Sequence, residues 1–480
     1  MGNHSPPQSS LRPLCVDLDG TLVSSDLLAE AIVALLKQNL LYVFVLPVWL
    51  LKGRAHLKQQ VADRVDLEVG LLPYHGPFVD YLKEQRATGR RLVLATGSNV
   101  KFAEAVASHL GLFDEVLASD AETNLSGPSK LERLRSAYGE GKFDYAGNAK
   151  ADLAIWARAG EAILVNPGAG VTEATRKLTR VAQVFDDTGG RWRHYLKALR
   201  PRHWLKNVLV FVPLVLAHRL GEPMLVAQSG LAFLAFGLCA SGVYVFNDLL
   251  DLPADRRHPT KRHRPFAAGK ISIVSGAALI PGLLAATVVL AWWLPPAFLA
   301  VMALYFVTNL AYSLRLKRSA LIDVLVLAGL YTLRVIAGAA AVSVVPSFWL
   351  LAFSMFVFLS FALVKRYTEL FQLREQGKDH AAGRGYHSVD LESLAQFGST
   401  SGYMAVLVLA LYINSETVKA LYTYPEVIWL LCPLLLYIVS RIWLLARRGE
   451  LDEDPVVFAM QDHRSQWSAG LGAILLWAAI

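Results

Sequence analysis

The chain has 480 residues, of which 54% are hydrophobic and 18% charged, with 47 Lys and Arg against 39 Asp and Glu for a formal net charge of +8. A positive mean hydropathy at this length excludes an ordinary soluble protein, and the clustering of Lys and Arg beside apolar runs argues for a membrane partner rather than nucleic acid. Three cysteines, Cys15, Cys239 and Cys432, lack metal-ligand spacing and define no disulfide framework.

The first ten residues carry neither a basic n-region nor an apolar core, so they read as a disordered tail rather than a signal peptide. From about residue 11 to 185 apolar and charged residues alternate as in a soluble domain. Leu14–Val23 (LCVDLDGTLV) predicts a buried strand running into a tight loop with Asp17, Asp19 and Gly20. Arg91–Asn99 (RLVLATGSN) predicts a second strand carrying Thr96, Phe143–Asp152 a third ending near Asp152, and Ala162–Asn166 a fourth. Strands separated by helical stretches imply a doubly wound α/β domain, whose C-terminal strand edge would gather Asp17, Asp19, Thr96 and Asp152. The segment from Asp26 to Lys83 fits a helical cap over that edge. Within it, Leu40–Leu51 (LLYVFVLPVWLL) is too short to span a bilayer and is either core or a patch resting on the membrane.

These residues resemble the haloacid dehalogenase superfamily, whose first motif is DxDGT. The resemblance implies Asp17 as a phosphoryl-accepting nucleophile and magnesium ligand, Asp19 as general acid and base, Thr96 as a hydrogen-bond donor to the phosphate and Lys130, in GPSKLERL, as the neutralising cation. Asp152 would be a further magnesium ligand. The family's last motif usually begins GD, whereas here Gly147 is followed by Asn148, which removes one charge from the implied metal site. The alternative is a domain that kept the fold and serves as a silent docking or regulatory module.

Residues 186–207, rich in basic and aromatic side chains, read as an amphipathic juxtamembrane linker. Beyond it, from 208 to 480, nine candidate spans begin near 208, 225, 271, 297, 320, 347, 398, 426 and 466, the first and last being short. Their connections alternate in charge, so the positive-inside rule places the N-terminal domain in the cytoplasm and the C-terminus outside a bacterial-type inner membrane. At the mouth of the second span, Asn247, Asp251 and Asp255 recur every four residues and run into the basic stretch His258–Pro265. Helical spacing sets those three oxygen-bearing side chains near one face, as a hard cation such as magnesium requires, while Pro253 ends the helix inside the motif. Asp323 opens a later span close to Tyr312 and Lys317 and could complete such a site. Arg334, deeper in that span, demands an anionic substrate or a buried carboxylate, and Lys365, Arg366 and Glu369 end the next span as further functional candidates, the bland alternative being simple snorkelling of the basic pair.

This half resembles the UbiA-type intramembrane prenyltransferases, which have nine helices and a first motif NDxxDxxxD matched at Asn247, Asp251 and Asp255. Their second motif, DxxxD, is half present, with Asp323 in its first position and Leu327 in its second. Arg200–Asn207 (RPRHWLKN), His258–Gly269, Leu333–Ala339, Lys365–Leu370 and Asp454–Ser465 look like marks of the decaprenyl-phosphate phosphoribosyltransferase branch. That resemblance implies magnesium at Asn247, Asp251, Asp255 and Asp323, with Lys206, Asn207, Lys261, Arg262, Arg264, Lys317, Arg334, Lys365 and Arg366 binding phosphates. It further implies a polyprenyl phosphate and phosphoribosyl diphosphate as substrates in a lipid bilayer, with no nucleic-acid partner; a homo-oligomer is compatible with the sequence. The second enzymatic reading is an aromatic polyprenyltransferase using a prenyl diphosphate.

Overall fold

The computed structural model describes residues 11–187, 189–379, 384–416, 418, 422–451 and 455–479. The expected N-terminal tail and the start of the Asp454–Ser465 stretch lie outside the described residues. Two compact units divide the chain: the chain through Leu199 together with Tyr244–Ile280, and Arg200–Val243 together with Pro281–Ile480.

The first unit is built on β1 (Leu14–Val16), α1 (Leu27–Gln38), α2 (Tyr42–Leu51), α3 (Arg54–Ala62), α4 (Gly76–Ala87), β2 (Leu92–Asn99), α5 (Val100–Leu110), β3 (Glu115–Ser119) and α6 (Pro128–Tyr138). β4 (Asp144–Gly147), α7 (Leu153–Trp156), β5 (Glu161–Val165), α8 (Val171–Arg176), β6 (Arg180–Phe185) and α9 (Arg191–Leu199) follow. The six strands form one parallel sheet in the order β3-β2-β1-β4-β5-β6, with Leu14 opposite both Leu92 and Asp144. Alternation within each strand sorts side chains onto two covered faces. Leu14, Val16, Leu92, Leu94 and Ala146 pack under the helices from α1 to α5, while Cys15, Val93, Ala95 and Tyr145 pack against α6, α7 and α8. Chain direction reverses about β1, so the crevice beyond its C-terminal end is the switch point of the sheet. Sequence reasoning found β1, β2, β4 and β5. It overlooked β3 and β6, whose side chains are largely half-exposed or exposed and give no continuous apolar run.

The remainder is helical: a 3₁₀ stretch Pro201–Phe211, α10 (Val212–Leu216), α11 (Pro223–Leu250), α12 (Leu252–Arg257), α13 (Ile273–Ala291), α14 (Pro296–Leu314), α15 (Ile322–Ala341), α16 (Phe348–Glu375) and α17 (Leu391–Ile413). Leu431–Arg447 and His463–Ala479 are the last long helices. Among the described residues seven helices are long and apolar enough to cross a membrane, against the nine expected. The first expected span is divided between the 3₁₀ stretch and the five-residue α10, which has Pro213 in its first turn; the last expected span is the 17-residue helix His463–Ala479.

Small residues let the membrane helices approach closely. A Cβ at Gly398 would lie 1.9 Å from the Trp443 ring, and one at Gly338 would lie 2.0 Å from the Val210 carbonyl oxygen. Trp443 is fixed there by donating to Ser360 Oγ (3.0 Å), which itself donates to the Gly398 carbonyl (2.7 Å).

Candidate functional site

At the sheet's switch point, Asp17 leaves the C-terminal end of β1 and is buried; its Oδ1 accepts from Lys130 Nζ at 2.8 Å. Lys130 sits in the first turn of α6 and also donates to the Tyr145 hydroxyl at 3.0 Å. Tyr145 in turn donates to Asp152 Oδ1 at 3.1 Å, while Asp152 Oδ2 accepts from the backbone N–H groups of Asn148 and Ala149. Burial pulls the Lys130 ammonium toward neutrality, but Asp17 and Asp152 outweigh it and hold its pKa above the ordinary value. Burial, and then Asp17, raise the pKa of Asp152.

Asp19 faces the same crevice. Its Oδ1 accepts the Leu27 N–H at 2.8 Å at the start of α1, and its Oδ2 accepts from Ser98 Oγ at 2.6 Å, with the Thr96 hydroxyl at 3.5 Å. Burial, reinforced by Asp26, pushes its pKa up to about 7. Gly20, at φ +74°, is required for the turn that follows Asp19, and a Cβ there would meet Asn148 Nδ2 at 2.1 Å. The Asn148 side chain therefore lies over the loop. From α3, Lys58 donates to the Gly97 carbonyl at 2.5 Å and to Asn124 at 2.6 Å, next to Thr96 and Ser98.

The four expected residues Asp17, Asp19, Thr96 and Lys130 thus converge. Ser98, Tyr145 and Lys58 join them without having been foreseen. Ser98 was legible two residues after Thr96 on the same face of the strand, whereas the part Tyr145 plays depends on packing between β4 and α6.

The acidic motif belongs to the same compact unit. Asn247 lies in the last turns of α11, Asp251 caps α12 and Asp255 is within α12, so the helical path breaks at Asp251 while its i→i+4 backbone bonds persist on either side. Each carboxylate meets a cation: Asp251 Oδ1 lies 3.4 Å from Lys37 of α1, and Arg264 reaches Asp255 at 2.7 Å and Asp248 at 3.2 Å. Lys261 and Arg262 are exposed beside them. The segment is bolted to the α/β fold by Arg256, whose guanidinium pairs bidentately with the buried Glu30 of α1 (2.5 and 3.1 Å) and donates to the Ala267 carbonyl. Glu30 also accepts from Ser25, whose carbonyl receives the Gly20 N–H. Arg257 pairs with Glu68.

The all-oxygen donor set of Asn247, Asp251 and Asp255 suits magnesium in kind. Among the described residues, however, no three His, Cys, Asp or Glu side chains gather as a ready metal cluster. Asp152, expected as a metal ligand, accepts from Tyr145 at Oδ1 and from the Asn148 and Ala149 N–H groups at Oδ2.

The second unit holds two polar constellations. Asp323, fully buried and expected as a metal ligand, is the acidic centre of an ion cluster. It accepts from Tyr312 (2.8 Å) and from Arg366, and faces Arg384 at 3.5 Å, while Arg366 and Arg384 also pair with Glu369. Arg366 is therefore not snorkelling: the buried Asp323 and the half-buried Glu369 hold it inside the bundle. Replacing Asp323 by alanine is expected to lower stability by about 3–5 kcal/mol, read as the unfolding midpoint of the solubilised protein, because two cations lose their shared carboxylate. Unchanged stability with lost activity would make Asp323 a ligand rather than a structural anion. The second constellation is Arg334, which donates to Asn207 Oδ1 (3.1 Å), the Leu330 carbonyl (2.7 Å) and the Tyr305 hydroxyl (3.0 Å), with Phe236, Tyr305 and Tyr331 rings about 5 Å away. Lys206 stacks over the other side of this group, 5.4 Å from the Tyr331 ring. Lys317, in the 3₁₀ turn Leu316–Arg318, and Lys365, which lies inside α16 rather than at its end because the helix continues to Glu375, are half-buried.

An aspartate-and-lysine crevice on a parallel sheet, carried by a chain with membrane-length helices and buried arginines, defines a membrane enzyme with a phosphatase-type domain. Residues 208–463, over half of the chain, match the UbiA prenyltransferase family, and residues 14–155 match the haloacid dehalogenase-like hydrolases. The chain belongs to the UbiA prenyltransferase family and carries a haloacid dehalogenase-like domain at its N-terminal side. It is 37% identical to the uncharacterized protein y4nM of Sinorhizobium fredii over 95% of this chain and 89% of that one. It is 38% identical to the nodulation protein NoeC of Azorhizobium caulinodans over 56% of this chain and 88% of NoeC. The decaprenyl-phosphate phosphoribosyltransferase of Mycolicibacterium smegmatis is 40% identical across 38% of this chain and 58% of its own length.

Proposed function

We propose that the membrane domain transfers 5-phosphoribose from phosphoribosyl diphosphate to a polyprenyl phosphate, and that the fused domain then removes the 5-phosphate from the lipid-linked product. The observation that carries this two-step reading is the Arg256–Glu30 pair, which folds the transferase motif Asn247–Gly269 into one compact unit with Asp17 and Lys130. Similarity to a relative named decaprenyl-phosphate phosphoribosyltransferase supports the choice of substrates.

In the transfer, the lipid phosphate oxygen attacks the anomeric carbon as diphosphate departs, so the protein must bring anions together and stabilise a cationic sugar. Lys261, Arg262 and Arg264 would screen the donor's phosphates. In the second unit, Lys206, Asn207 and Arg334 form a buried cationic group of a kind suited to a phosphate. Magnesium, held by Asn247, Asp251 and Asp255, would supply charge to the leaving diphosphate.

In the second step, Asp17 attacks the phosphorus of the monoester while the ribose 5-oxygen leaves with the proton from Asp19, giving an aspartyl phosphate. Water deprotonated by Asp19 then releases inorganic phosphate and restores Asp17. Lys130 offsets the repulsion between the carboxylate and the phosphoryl group, and Thr96 and Ser98 orient Asp19 and the phosphate oxygens.

The purified protein, magnesium, labelled phosphoribosyl diphosphate and a polyprenyl phosphate provide the test. Label entering the lipid phase, followed by inorganic phosphate, is the expected result. No lipid label defeats the transferase assignment; lipid label without phosphate leaves the fused domain a silent module, the outcome that Asn148 would favour.

A further inference from the structure

Helix α2 is apolar on both sides. Tyr42, Val45, Leu46 and Trp49 recur at helical spacing and pack on the core of the α/β domain, with Arg64 over the Trp49 ring at 4.9 Å. The opposite side carries Leu41, Val43, Phe44, Val48, Leu50 and Leu51, all exposed, with Phe44 at 74% and Leu51 at 88%. The outer face of a soluble domain's helix is polar; a contiguous patch of this kind marks an interaction surface. At ten residues, α2 is about 15 Å long and cannot cross a bilayer.

Its neighbours say what covers it. Helix α1 packs Ala29 and Val33 against Val245, Leu249, Leu252, Phe266 and Ile273, at the end of α11 and the beginning of α13, two membrane-length helices. The last turn of α1 places Lys37 beside Asp251, one residue beyond the end of α11. Only Asn39, Leu40 and Leu41 separate Gln38, which ends α1, from the first residue of α2. The chain thus enters α2 close to the C-terminal end of α11, a helix of membrane length. Exposed Lys52 and Arg54 follow the helix, positioned for anionic headgroups. Helix α9, with Trp192 exposed and Tyr195 and Ala198 on the same cluster as Val245, supplies a second amphipathic element there.

We propose that α2 is an interfacial helix that lies in the bilayer surface with Phe44 and Leu51 among the acyl chains. From there the chain turns through Gly53 into α3, whose Lys58 binds the strand end that carries Thr96 and Ser98. The membrane contact is therefore built beside the phosphatase crevice, where it holds that crevice at the headgroups for a lipid-linked phosphomonoester. The delivery role rests on the phosphatase reading; the membrane contact does not.

The three cysteines are buried, so a single cysteine introduced as Phe44→Cys, Leu51→Cys or, as a control on α6, Glu132→Cys takes an environment-sensitive fluorophore selectively. In full-length protein in vesicles of phosphatidylcholine and phosphatidylglycerol, labels at 44 and 51 are expected to emit to the blue of the control and to be quenched severalfold more by bromine-labelled acyl chains. Water-like emission without quenching at both positions overturns the proposal. So does shielding that rises with protein concentration at fixed lipid, since a second copy is then the occupant. In the Phe44→Glu, Leu51→Glu double variant, hydrolysis of p-nitrophenyl phosphate is expected unchanged and KM for a polyprenyl-linked phosphoribose raised about tenfold. An unchanged KM removes the delivery role, whereas a wild type that hydrolyses neither compound defeats the phosphatase reading and leaves the fluorescence to decide the membrane contact.

Discussion

Replacing Asp17 by asparagine is expected to suppress phosphate release from the lipid-linked product by about 10⁴-fold or more while leaving phosphoribosyl transfer intact. The substitution preserves the shape of the side chain and an oxygen for Lys130, whose ammonium lies 2.8 Å from the carboxylate. It removes the anionic carboxylate that the proposed attack on phosphorus requires. The rest of the network, from Lys130 through Tyr145 to Asp152, keeps its hydrogen bonds, so the domain is expected to stay folded. The measurement is a two-product assay on one sample: label in the lipid phase and inorganic phosphate in the aqueous phase. Accumulation of phosphorylated lipid in the variant, against its consumption in the wild type, places the two reactions in sequence. Equal phosphate release by both proteins would exclude Asp17 as the nucleophile, and equal absence of release would leave the domain without turnover.

The four central strands of the α/β sheet could be read from the sequence because β1, β2, β4 and β5 are buried on both faces, and two-sided burial leaves an unbroken apolar run. β6 lies at the sheet edge with Arg180, Ala182 or Gln183 in solvent, and such a run looks like a loop. Within the crevice, residues on one strand or loop were legible from spacing alone: Asp17 with Asp19, and Thr96. Lys130 came from the family resemblance; what escaped were Tyr145 and Lys58, brought from other elements, and the distant counter-charges of the ion pairs. Arg384 reaches Asp323 from 61 positions away, and Arg256 reaches Glu30 across 226. The first of these turned an expected metal ligand into the core of an ion cluster. The second moved Tyr244–Ile280, which hydropathy assigns to the membrane part, into the compact unit of the soluble fold. Neither follows from local pattern, because a charge in sequence shows its need for a counter-charge but not which distant one meets it.

Asp251→Ala is expected to reduce phosphoribosyl transfer by about 10³-fold with little effect on folding. Asp251 is about one-third exposed and its contact with Lys37, at 3.4 Å, is a solvent-screened pair, so its removal is expected to change stability by less than about 1 kcal/mol. Asp255 differs: it is buried and pairs with Arg264, so loss of activity on its substitution would mix folding with chemistry. Asp251 is therefore the residue at which the functional claim separates from the structural one. The variant should keep the wild-type unfolding midpoint and, if the fused domain works independently, should still release phosphate from phosphorylated lipid supplied to it. Raising magnesium is expected to recover part of the lost transfer, since the remaining oxygen donors Asn247 and Asp255 would bind the cation more weakly. Lys37→Ala offers the counterpart: if Lys37 merely neutralises Asp251 in the absence of substrate, transfer should persist within a few-fold, whereas a loss as deep as that of Asp251→Ala would make the α/β domain itself a contributor of charge to the transfer reaction.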